Sequence, residues 1–338
     1  MLLEHYLNGD DSAIALKYKD KSLTYLALKE AVTHLANWIT NNNVSRIAIA
    51  FDNSFAWVVA DLACQEAQVC CVPIPLFFSE TQQRHVIEES QCECLLTTEV
   101  LSFFPSSKKE VLSDSLNITG YMLTPLAASV SMPTGTNKIT FTSGSTGTPK
   151  GVCLSNESQW QVARSIDCAF QQDEVNHLCI LPLSTLLENI AGIYAPLLHG
   201  GTVQLASASA RGFEGSRLVN PQALLKLIND VQPTSIILVP DLLMVLLQAC
   251  SKGWLPPTSL SFIAVGGAHV SPFLLTEART RGLPVYEGYG LSEAVSVSTL
   301  NTPNCNVLGS AGKALGPNTP HINKGDGVGT GKDLLGNF

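Results

Sequence analysis

The sequence predicts an α/β protein whose sheets are mainly parallel and covered by helices. Short apolar segments of strand length alternate with segments whose apolar residues recur at helical spacing. Residues that cap helices, such as Ser79, stand before several of the helical segments. Strands that alternate with helices of this length imply crossover connections and parallel neighbours. With 338 residues, 45% of them hydrophobic, the chain is long enough for one large or two medium domains.

Up to residue 97, helices and strands alternate regularly. In the first helical segment, apolar residues from Leu26 to Ile39 fall on one face. Asn53 or Ser54 can cap the second helix, and Ser79 the third. Helices are predicted at 23–40, 55–68 and 79–89, and strands at 46–51, 69–74 and 93–97. The following region, 105–136, is rich in Ser, Thr, Pro and Gly and is interpreted as a connecting stretch.

The alternation resumes near residue 137 and continues to residue 300. Helices are predicted at 155–170, 185–198, 221–230 and 240–250, and strands at 138–141, 177–182, 203–205, 235–239, 261–265, 284–286 and 295–300. From residue 316 to 338, turn-forming residues dominate without periodicity. This last stretch is therefore predicted to be an irregular, flexible tail.

Composition argues against two classes of partner. The formal net charge is −8, and no basic cluster is longer than Lys108–Lys109, whereas a phosphate backbone normally requires a basic face. Apolar runs are shorter than the roughly 18 residues that a transmembrane helix needs, and the N-terminus has no basic segment typical of a secretory signal. We therefore expect a cytoplasmic protein without a nucleic-acid partner or transmembrane segment.

The ten cysteines are predicted to be buried, reduced thiols, because no C-x-x-C motif occurs and most lie in apolar runs. The single-residue spacing of Cys92 and Cys94, without a second pair, argues against a zinc site. The sequons at Asn117 and Asn156 are interpreted as accidental in a cytoplasmic protein.

A hydroxyl-rich glycine loop carries the clearest chemical signal. Residues 142–151 read TSGSTGTPKG, between a predicted strand and a helix-forming segment. Gly144 and Gly147 let backbone N–H groups approach an anion closely, and the surrounding hydroxyls add donors. Lys150 adds a positive charge that can follow a leaving pyrophosphate. The loop therefore predicts a phosphate-binding site, whereas an ordinary mobile turn has no need for this density of donors.

Two nucleotide-binding motifs are absent. The Walker A pattern G-x-x-x-x-G-K-[ST] does not occur. The glycine-rich tail from Gly325 to Asp333 fails that spacing and also fails G-x-G-x-x-G, and no strand or helix is predicted around it.

Residues 142–151 resemble the signature loop of the adenylate-forming superfamily, which includes acyl-CoA synthetases, firefly-type luciferases and the adenylation domains of peptide synthetases. Further along the chain, Gly288–Glu293 (GYGLSE) is similar to its Y-G-x-[ST]-E motif. Val265–Ala268 resembles the family's strand and turn that lie against the adenine and the acyl group. Gly309–Leu315 resembles the family's G-S-x-G-K-P-L segment. The resemblance extends over about residues 10–315.

The resemblance implies roles for individual residues. Lys150 and Glu293 would act in catalysis, with Glu293 as a Mg²⁺ ligand, which suits a hard cation that prefers carboxylate oxygen. The ATP phosphates would be bound by Thr142, Ser143, Gly144, Ser145, Thr146, Gly147, Lys150 and Ser292. The adenine and acyl groups would contact Gly266, Gly267, Ala268, Gly288, Tyr289 and Gly290.

The implied reaction is attack of a carboxylate on the α-phosphorus of ATP, which gives an acyl-adenylate and pyrophosphate. Positioning and charge neutralisation would supply most of the catalysis. In most of the superfamily a thiol then takes the acyl group, often coenzyme A. The apolar segment 181–198 is compatible with a fatty or other hydrophobic acid.

Three departures from the family pattern stand out. Thr185 occupies the place where many members have a histidine; Glu188 and Asn189, close by, either make polar contacts there or form a helix cap or solvated turn. The T-G-D motif for the ribose is absent, and Asp326 lacks its strand context. The small C-terminal lid domain, with its lysine, is also absent.

The expected organisation is an adenylation domain at 1–315, with subdomains at about 1–136 and 137–315 in a layered packing, followed by the tail. A separate polypeptide could supply the lid, and the activity of the chain alone stays open. Two alternatives remain: an adenylation domain that loads an acyl carrier protein, and a non-catalytic nucleotide-binding remnant.

Overall fold

The computed structural model describes residues 2–98, 106–123, 131–142, 148–169, 172–316, 321–323, 326–328 and 336–337. Its α-helices are α1 Tyr25–Asn41, α2 Phe55–Glu66, α3 Glu80–Ser90, α4 Asn156–Ala169, α5 Leu186–Glu188, α6 Ala195–His199, α7 Pro221–Val231, α8 Pro240–Ser251 and α9 Pro272–Thr280. A π-helix, Asn189–Tyr194, joins α5 to α6, and 3₁₀-helices cover Leu2–His5 and Ser292–Ala294.

The strands are β1 Ile14–Tyr18, β2 Lys21–Thr24, β3 Arg46–Ala50, β4 Cys70–Pro73, β5 Cys94–Thr97, β6 Ser106–Ser113, β7 Ile118–Leu123, β8 Lys138–Thr142, β9 Lys150–Leu154, β10 Asn176–Leu178, β11 Thr202–Leu205, β12 Phe213–Glu214, β13 Arg217–Leu218, β14 Ser235–Leu238, β15 Phe262–Val265, β16 Val285–Leu291, β17 Ser296–Leu300, β18 Lys313–Ala314, β19 His321–Asn323, β20 Asp326–Val328 and β21 Gly336–Asn337.

Two large sheets organise these strands. One has the order β18-β17-β16-β15-β14-β10-β11-β1-β2 and is parallel from β16 to β1. The other has the order β21-β9-β8-β4-β3-β5-β7-β6, with parallel pairing from β8 through β5. Antiparallel hairpins flank both parallel centres. The α/β fold with mainly parallel sheet centres is therefore confirmed.

Most predicted elements are present, with ends that differ by a few residues. The N-caps act as predicted: the Ser54 hydroxyl accepts a hydrogen bond from Trp57 N, and Ser79 forms a capping box with Gln82. The interpretation of 105–136 as a connecting stretch is wrong where it covers the β6–β7 hairpin. The β1–β2 hairpin and α9 were not predicted from the sequence.

The two sheets do not divide at one point along the sequence. The β1–β2 hairpin joins the sheet that is otherwise built from residues beyond 175, and β8–β9 joins the sheet built mostly from residues before 124. The subdomain boundary near 136 stays a prediction. No helix among the described ranges combines the length and apolarity needed to cross a membrane.

A buried polar network ties α2, β8 and the π-helix together. Lys138 Nζ lies 2.7 Å from Asp61 Oδ1, and both side chains are 1% exposed. Lys138 Nζ also donates to Tyr194 Oη at 2.8 Å and to Asn189 Oδ1 at 2.5 Å. The other oxygen of Asp61 accepts from Asn189 and Tyr194. A buried charge pair of this kind is tolerable because its remaining donors and acceptors are also satisfied.

The cysteines confirm the expectation of free thiols, and most of them are buried. Burial raises the pKa of both Cys92 and Cys94 to about 12. Cys168, on α4, is exposed. We expect iodoacetamide at pH 8 to alkylate Cys168 well before Cys92 or Cys94, because the thiolate is the reactive form. Peptide mapping of the native protein over time measures this order, and early labelling of Cys92 would contradict it.

Candidate active site

The hydroxyl-rich loop connects β8 to β9, and these two strands fix the positions of its first and last residues. Ser143–Gly147, five of the predicted phosphate-binding residues, lie outside the described residues. Thr142 ends β8 and pairs in register with Lys150, which begins β9 and is exposed. His85 on α3 contacts Pro149 O through Nε2 at 3.1 Å. The hairpin thus holds the Lys150 ammonium at the surface, where an anion can reach it.

The second motif forms the turn between β16 and β17. These strands pair from Gly288↔Leu300 to Leu291↔Ser296, and a single 3₁₀ turn carries Ser292 and Glu293. After that turn, Val295 and Ser296 have φ values of 56° and 86°. A β-branched residue rarely adopts a left-handed conformation, and such strain is concentrated at functional sites. The turn presents Ser292 and Glu293, both half-buried, at the end of the sheet.

The glycines of this region are required by close strand packing. A Cβ on Gly290 would lie 1.6 Å from Ser296 O, and one on Gly266 would lie 3.0 Å from Gly288 O. Gly267 has a φ of +79°, which favours glycine. Replacement would therefore disturb the strands themselves. The predicted contact of these glycines with a nucleotide stays a prediction.

One cavity of about 290 Å³ brings together residues of Val265–Ala268 and of Gly288–Glu293. Among its lining residues are six that the sequence predicted: Gly266, Gly267, Gly288, Tyr289, Gly290 and Ser292. Tyr289 is 48% exposed, so its ring is free to pack against a ligand. Ala268, Glu293, Thr142 and Lys150 do not line this cavity. The shape of the cavity therefore does not test the roles predicted for these four residues.

The apolar wall of the cavity was not predicted from the sequence. Thr185, Leu186 and Leu187 approach it from the start of α5. Further wall residues include Ile237, Ala264, Val297 and Leu300, from β14, β15 and β17. In the sequence they are indistinguishable from core residues. Only Thr185 drew attention to this wall in the sequence, because many family members have a histidine at its position. In the structure its hydroxyl donates a hydrogen bond to Pro182 O at 2.6 Å.

Glu188 and Asn189 are buried at the junction of α5 and the π-helix, so the alternative of a solvated turn is wrong. They are 0% and 2% exposed, and neither lines the cavity. Glu188 Oε1 lies 3.0 Å from His177 Nε2, and Oε2 accepts from Leu181 N at 3.0 Å. His177, Glu188 and Cys179 have possible metal-ligand atoms within 4.8 Å of one another. In this structure the His177–Glu188 contact holds α5 against β10.

A second, larger cavity of about 660 Å³ adjoins the first, because Thr185, Leu187 and Gly267 line both. Its wall is mostly apolar, but it includes Asp241 and two arginines. Arg211 is already bound to Asp52 Oδ1, Ala206 O and Ile180 O. Arg217 is exposed on β13.

We expect Gly290→Ala to lower the free energy of unfolding by roughly 1–3 kcal/mol, the usual cost of overpacking, and to abolish ligand binding in the 290 Å³ cavity. The added methyl group cannot fit beside Ser296 O without moving β16 or β17. Urea unfolding and calorimetry measure the two effects. Gly253→Ala is a matched control: its Cβ would meet no atom within 4 Å, although its φ is +94°. In this control the free energy of unfolding should fall by about 1 kcal/mol, and ligand binding in the cavity should be retained. If Gly290→Ala and Gly253→Ala bind the ligand equally well, the expectation is wrong.

Comparison with known proteins identifies relatives over nearly the whole chain. Residues 3–331 match the family described as AMP-binding enzyme. The 2-succinylbenzoate–CoA ligase of Bacillus subtilis is 27% identical over 314 residues, which cover 89% of this chain and 61% of that protein. The nonribosomal peptide synthetase cm3A of Cordyceps militaris is 30% identical over 307 residues, covering 87% of this chain and 6% of the synthetase.

Solved structures show the same fold. o-Succinylbenzoate coenzyme A synthetase from Bacillus subtilis, in complex with ATP and a magnesium ion, superposes with a TM-score of 0.69 at 25% sequence identity. The superposition covers 93% of this chain and 65% of that protein. The chain thus spans about three fifths of the curated 2-succinylbenzoate–CoA ligase, 61% of its length, and only 6% of the peptide synthetase.

Proposed function

Because the chain belongs to the AMP-binding enzyme family, we propose that it activates a carboxylic acid by ATP-dependent adenylation. The observation that carries this proposal is the convergence of two sequence motifs, Val265–Ala268 and Gly288–Glu293, on a single cavity. The cavity is lined by polar groups and glycine backbone together with aliphatic side chains. This combination suits a nucleotide joined to an acyl group.

In the proposed reaction, a carboxylate oxygen attacks the α-phosphorus of ATP and pyrophosphate leaves. Tyr289 packs against the adenine, while Gly266 and Gly267 leave the backbone open to the nucleotide. Ser292 donates a hydrogen bond to a phosphate oxygen. Lys150 and the hydroxyls of the loop 142–148 neutralise and guide the departing pyrophosphate.

Glu293 is the proposed ligand for Mg²⁺. Its half-buried carboxylate, in the β16–β17 turn, is the oxygen donor that this ion prefers. A bound Mg²⁺ would neutralise phosphate charge. The B. subtilis synthetase solved with ATP and a magnesium ion supports the proposal that the ion accompanies ATP here.

A thiol is the proposed acceptor of the acyl group. Coenzyme A is the first candidate, since the match covers more than half of a coenzyme A ligase. An acyl carrier protein is the second, because peptide synthetases match along the same residues. A hydrophobic acid, such as a fatty acid, is the proposed substrate. We also propose that a lid domain, in cis or from a separate polypeptide, completes the site.

Exchange of labelled pyrophosphate into ATP tests the proposed activity. The protein is assayed with a panel of carboxylic acids, alone and with the purified C-terminal domain of the B. subtilis ligase added. Exchange that depends on both an acid and Mg²⁺ is the expected result. Binding of ATP without exchange under either condition would support a nucleotide-binding remnant instead.

We expect Lys150→Ala to weaken binding of MgATP by about tenfold or more, the usual value of a charge-assisted hydrogen bond to phosphate. Calorimetric titration measures the dissociation constant. Lys252→Ala, an exposed lysine after α8, is the matched control and should bind as the wild type does. If the two variants bind MgATP equally well, Lys150 has no role in phosphate binding.

A further inference from the structure

The aliphatic side chains of the 290 Å³ cavity also border a small pocket. The pocket has a volume of about 30 Å³. Five residues line both spaces: Leu187, Ile237, Ala264, Val297 and Leu300. The two spaces therefore adjoin. Together we call them the channel, which extends from Thr185, Ser292 and the glycine backbone to aliphatic side chains.

The end of this channel is lined mainly by apolar side chains. Ile166, Ala191 and Phe262 close it, together with His177 and Ser235. Both ring nitrogens of His177 are engaged, Nδ1 with Ser235 Oγ at 2.9 Å and Nε2 with Glu188 Oε1 at 3.0 Å. Within the described residues that line the two spaces, no Lys, Arg, Asp or Glu occurs. A charged group on a ligand would thus find no partner there.

Charge and depth together define a class of substrate. An unpaired carboxylate is costly to bury, whereas each buried methylene favours binding by about 0.8 kcal/mol. The terminal pocket, at about 30 Å³, is two to three times the roughly 10–15 Å³ that a cavity needs to hold one water molecule. It can therefore take only about two methyl or methylene groups, so the channel ends shortly beyond the main cavity.

Resting on the proposed adenylation function, we propose that this channel selects a short, apolar monocarboxylic acid and rejects acids with a second carboxylate. Ala264 is the smallest of the five residues that line both spaces, so a larger side chain at this position would narrow the channel. The relatives named 2-succinylbenzoate–CoA ligases act, by that name, on an acid with two carboxylates. This chain is therefore expected to differ from them in substrate.

An alternative path leads into the 660 Å³ cavity, where Arg217 could bind a second carboxylate. Arg217 is solvent-exposed on the short strand β13, so an ion pair there would contribute little. Arg211, the other arginine of that cavity, is bound to Asp52 and to two backbone carbonyls. We therefore favour the channel, and Arg217→Ala decides between the two paths.

The test uses stable analogues of the acyl-adenylate, in which a sulfamate replaces the phosphate. Calorimetry compares 5′-O-sulfamoyladenosine itself with its pentanoyl, 4-carboxybutanoyl and dodecanoyl derivatives. The pentanoyl and 4-carboxybutanoyl groups have similar length and differ in the terminal carboxylate. We expect the pentanoyl derivative to bind at least about 100-fold more tightly than the 4-carboxybutanoyl derivative, because burying an unpaired charge is costly. Dodecanoyl should bind less tightly than pentanoyl.

Two variants change the channel in opposite directions. Ala264→Leu should weaken pentanoyl binding by about tenfold or more, since small changes in an apolar pocket alter selectivity on that scale. Leu300→Ala should shift the preference towards longer chains. Ala210→Leu, at an exposed position outside both cavities, is the control and should bind every analogue as the wild type does. Thermal melts confirm that each variant folds.

The outcomes separate the substrate proposal from the function on which it rests. If 5′-O-sulfamoyladenosine binds but 4-carboxybutanoyl binds as tightly as pentanoyl, the substrate proposal alone is wrong. If that binding is lost in Arg217→Ala, the acyl group enters the larger cavity. If no nucleotide analogue binds, the adenylation function is wrong and the substrate proposal falls with it.

Discussion

Replacing Glu293 with glutamine is expected to slow acid-dependent pyrophosphate exchange by roughly 100-fold or more, in line with the loss of one preorganised electrostatic contact. Glutamine keeps the size and one oxygen of the side chain but removes its charge. The substitution therefore isolates the proposed contact with Mg²⁺ from the shape of the β16–β17 turn. Exchange rates measured across a range of Mg²⁺ concentrations should show a large increase in the concentration needed for half-maximal rate.

Glu157→Gln provides the matched control, because Glu157 is exposed in the first turn of α4. Its exchange rate should equal that of the wild type. A Glu293→Gln variant that retains full exchange, with unchanged Mg²⁺ dependence, would remove Glu293 from the metal site. The cavity would then need another oxygen ligand for the ion.

The second large effect concerns stability. Lys138→Met is expected to lower the free energy of unfolding by about 3–5 kcal/mol, because it leaves the buried Asp61 carboxylate without its charge partner. Methionine has nearly the length of lysine, so the change is mainly in charge. Burial, reinforced by Asp61, raises the pKa of Tyr194 well above its ordinary value. The tyrosine therefore stays neutral and remains a hydrogen-bond donor to Asp61.

Urea unfolding of Lys138→Met and of the double variant Lys138→Met/Asp61→Asn measures this effect. The double variant removes both charges and should recover part of the lost stability. Lys226→Met is the control, because its ion pair with Asp230 is exposed and should be worth less than about 1 kcal/mol. A loss below about 1 kcal/mol in Lys138→Met would show that the network is not important for stability.

Local sequence signals predicted the parts of the fold that depend on local interactions. The Ser54 and Ser79 caps fixed two helix starts, because capping residues act on backbone groups only a few positions away. β6 was missed because its sequence, SSKKEVLS, is polar: it is an edge strand that pairs on one side with β7. Such strands lack the apolar alternation that reveals a half-buried strand.

Interactions between distant residues were beyond the reach of sequence patterns. Lys138 looked like the first residue of an ordinary strand, yet it pairs with Asp61, 77 positions earlier in the chain. Glu188 and Asn189 stood near a departure from the family motif, which suggested contacts in the site. In the structure they anchor the segment behind the cavity wall, since His177 and Lys138 approach them from strands of the two different sheets.

The candidate site was predictable where motifs carry it and unpredictable where packing does. Gly288–Ser292 and Gly266–Gly267 were identified by their resemblance to the family, and they line one cavity. Leu187 and Ala264 gave no signal, because an aliphatic side chain that lines a ligand channel has the same pattern as one in the core. These residues decide substrate choice in our proposal, so the substrate is the least predictable part of the function.

The central claim is that a nucleotide occupies the cavity between Gly266–Gly267 and Gly288–Ser292. Photolabelling with 8-azido-ATP in the presence of Mg²⁺, followed by peptide mapping, tests it most directly. The account predicts labelling of peptides that contain Tyr289 or Gly266, competed away by unlabelled ATP and lost in Gly290→Ala. Competable labelling confined to peptides elsewhere in the chain, unchanged in that variant, would contradict it.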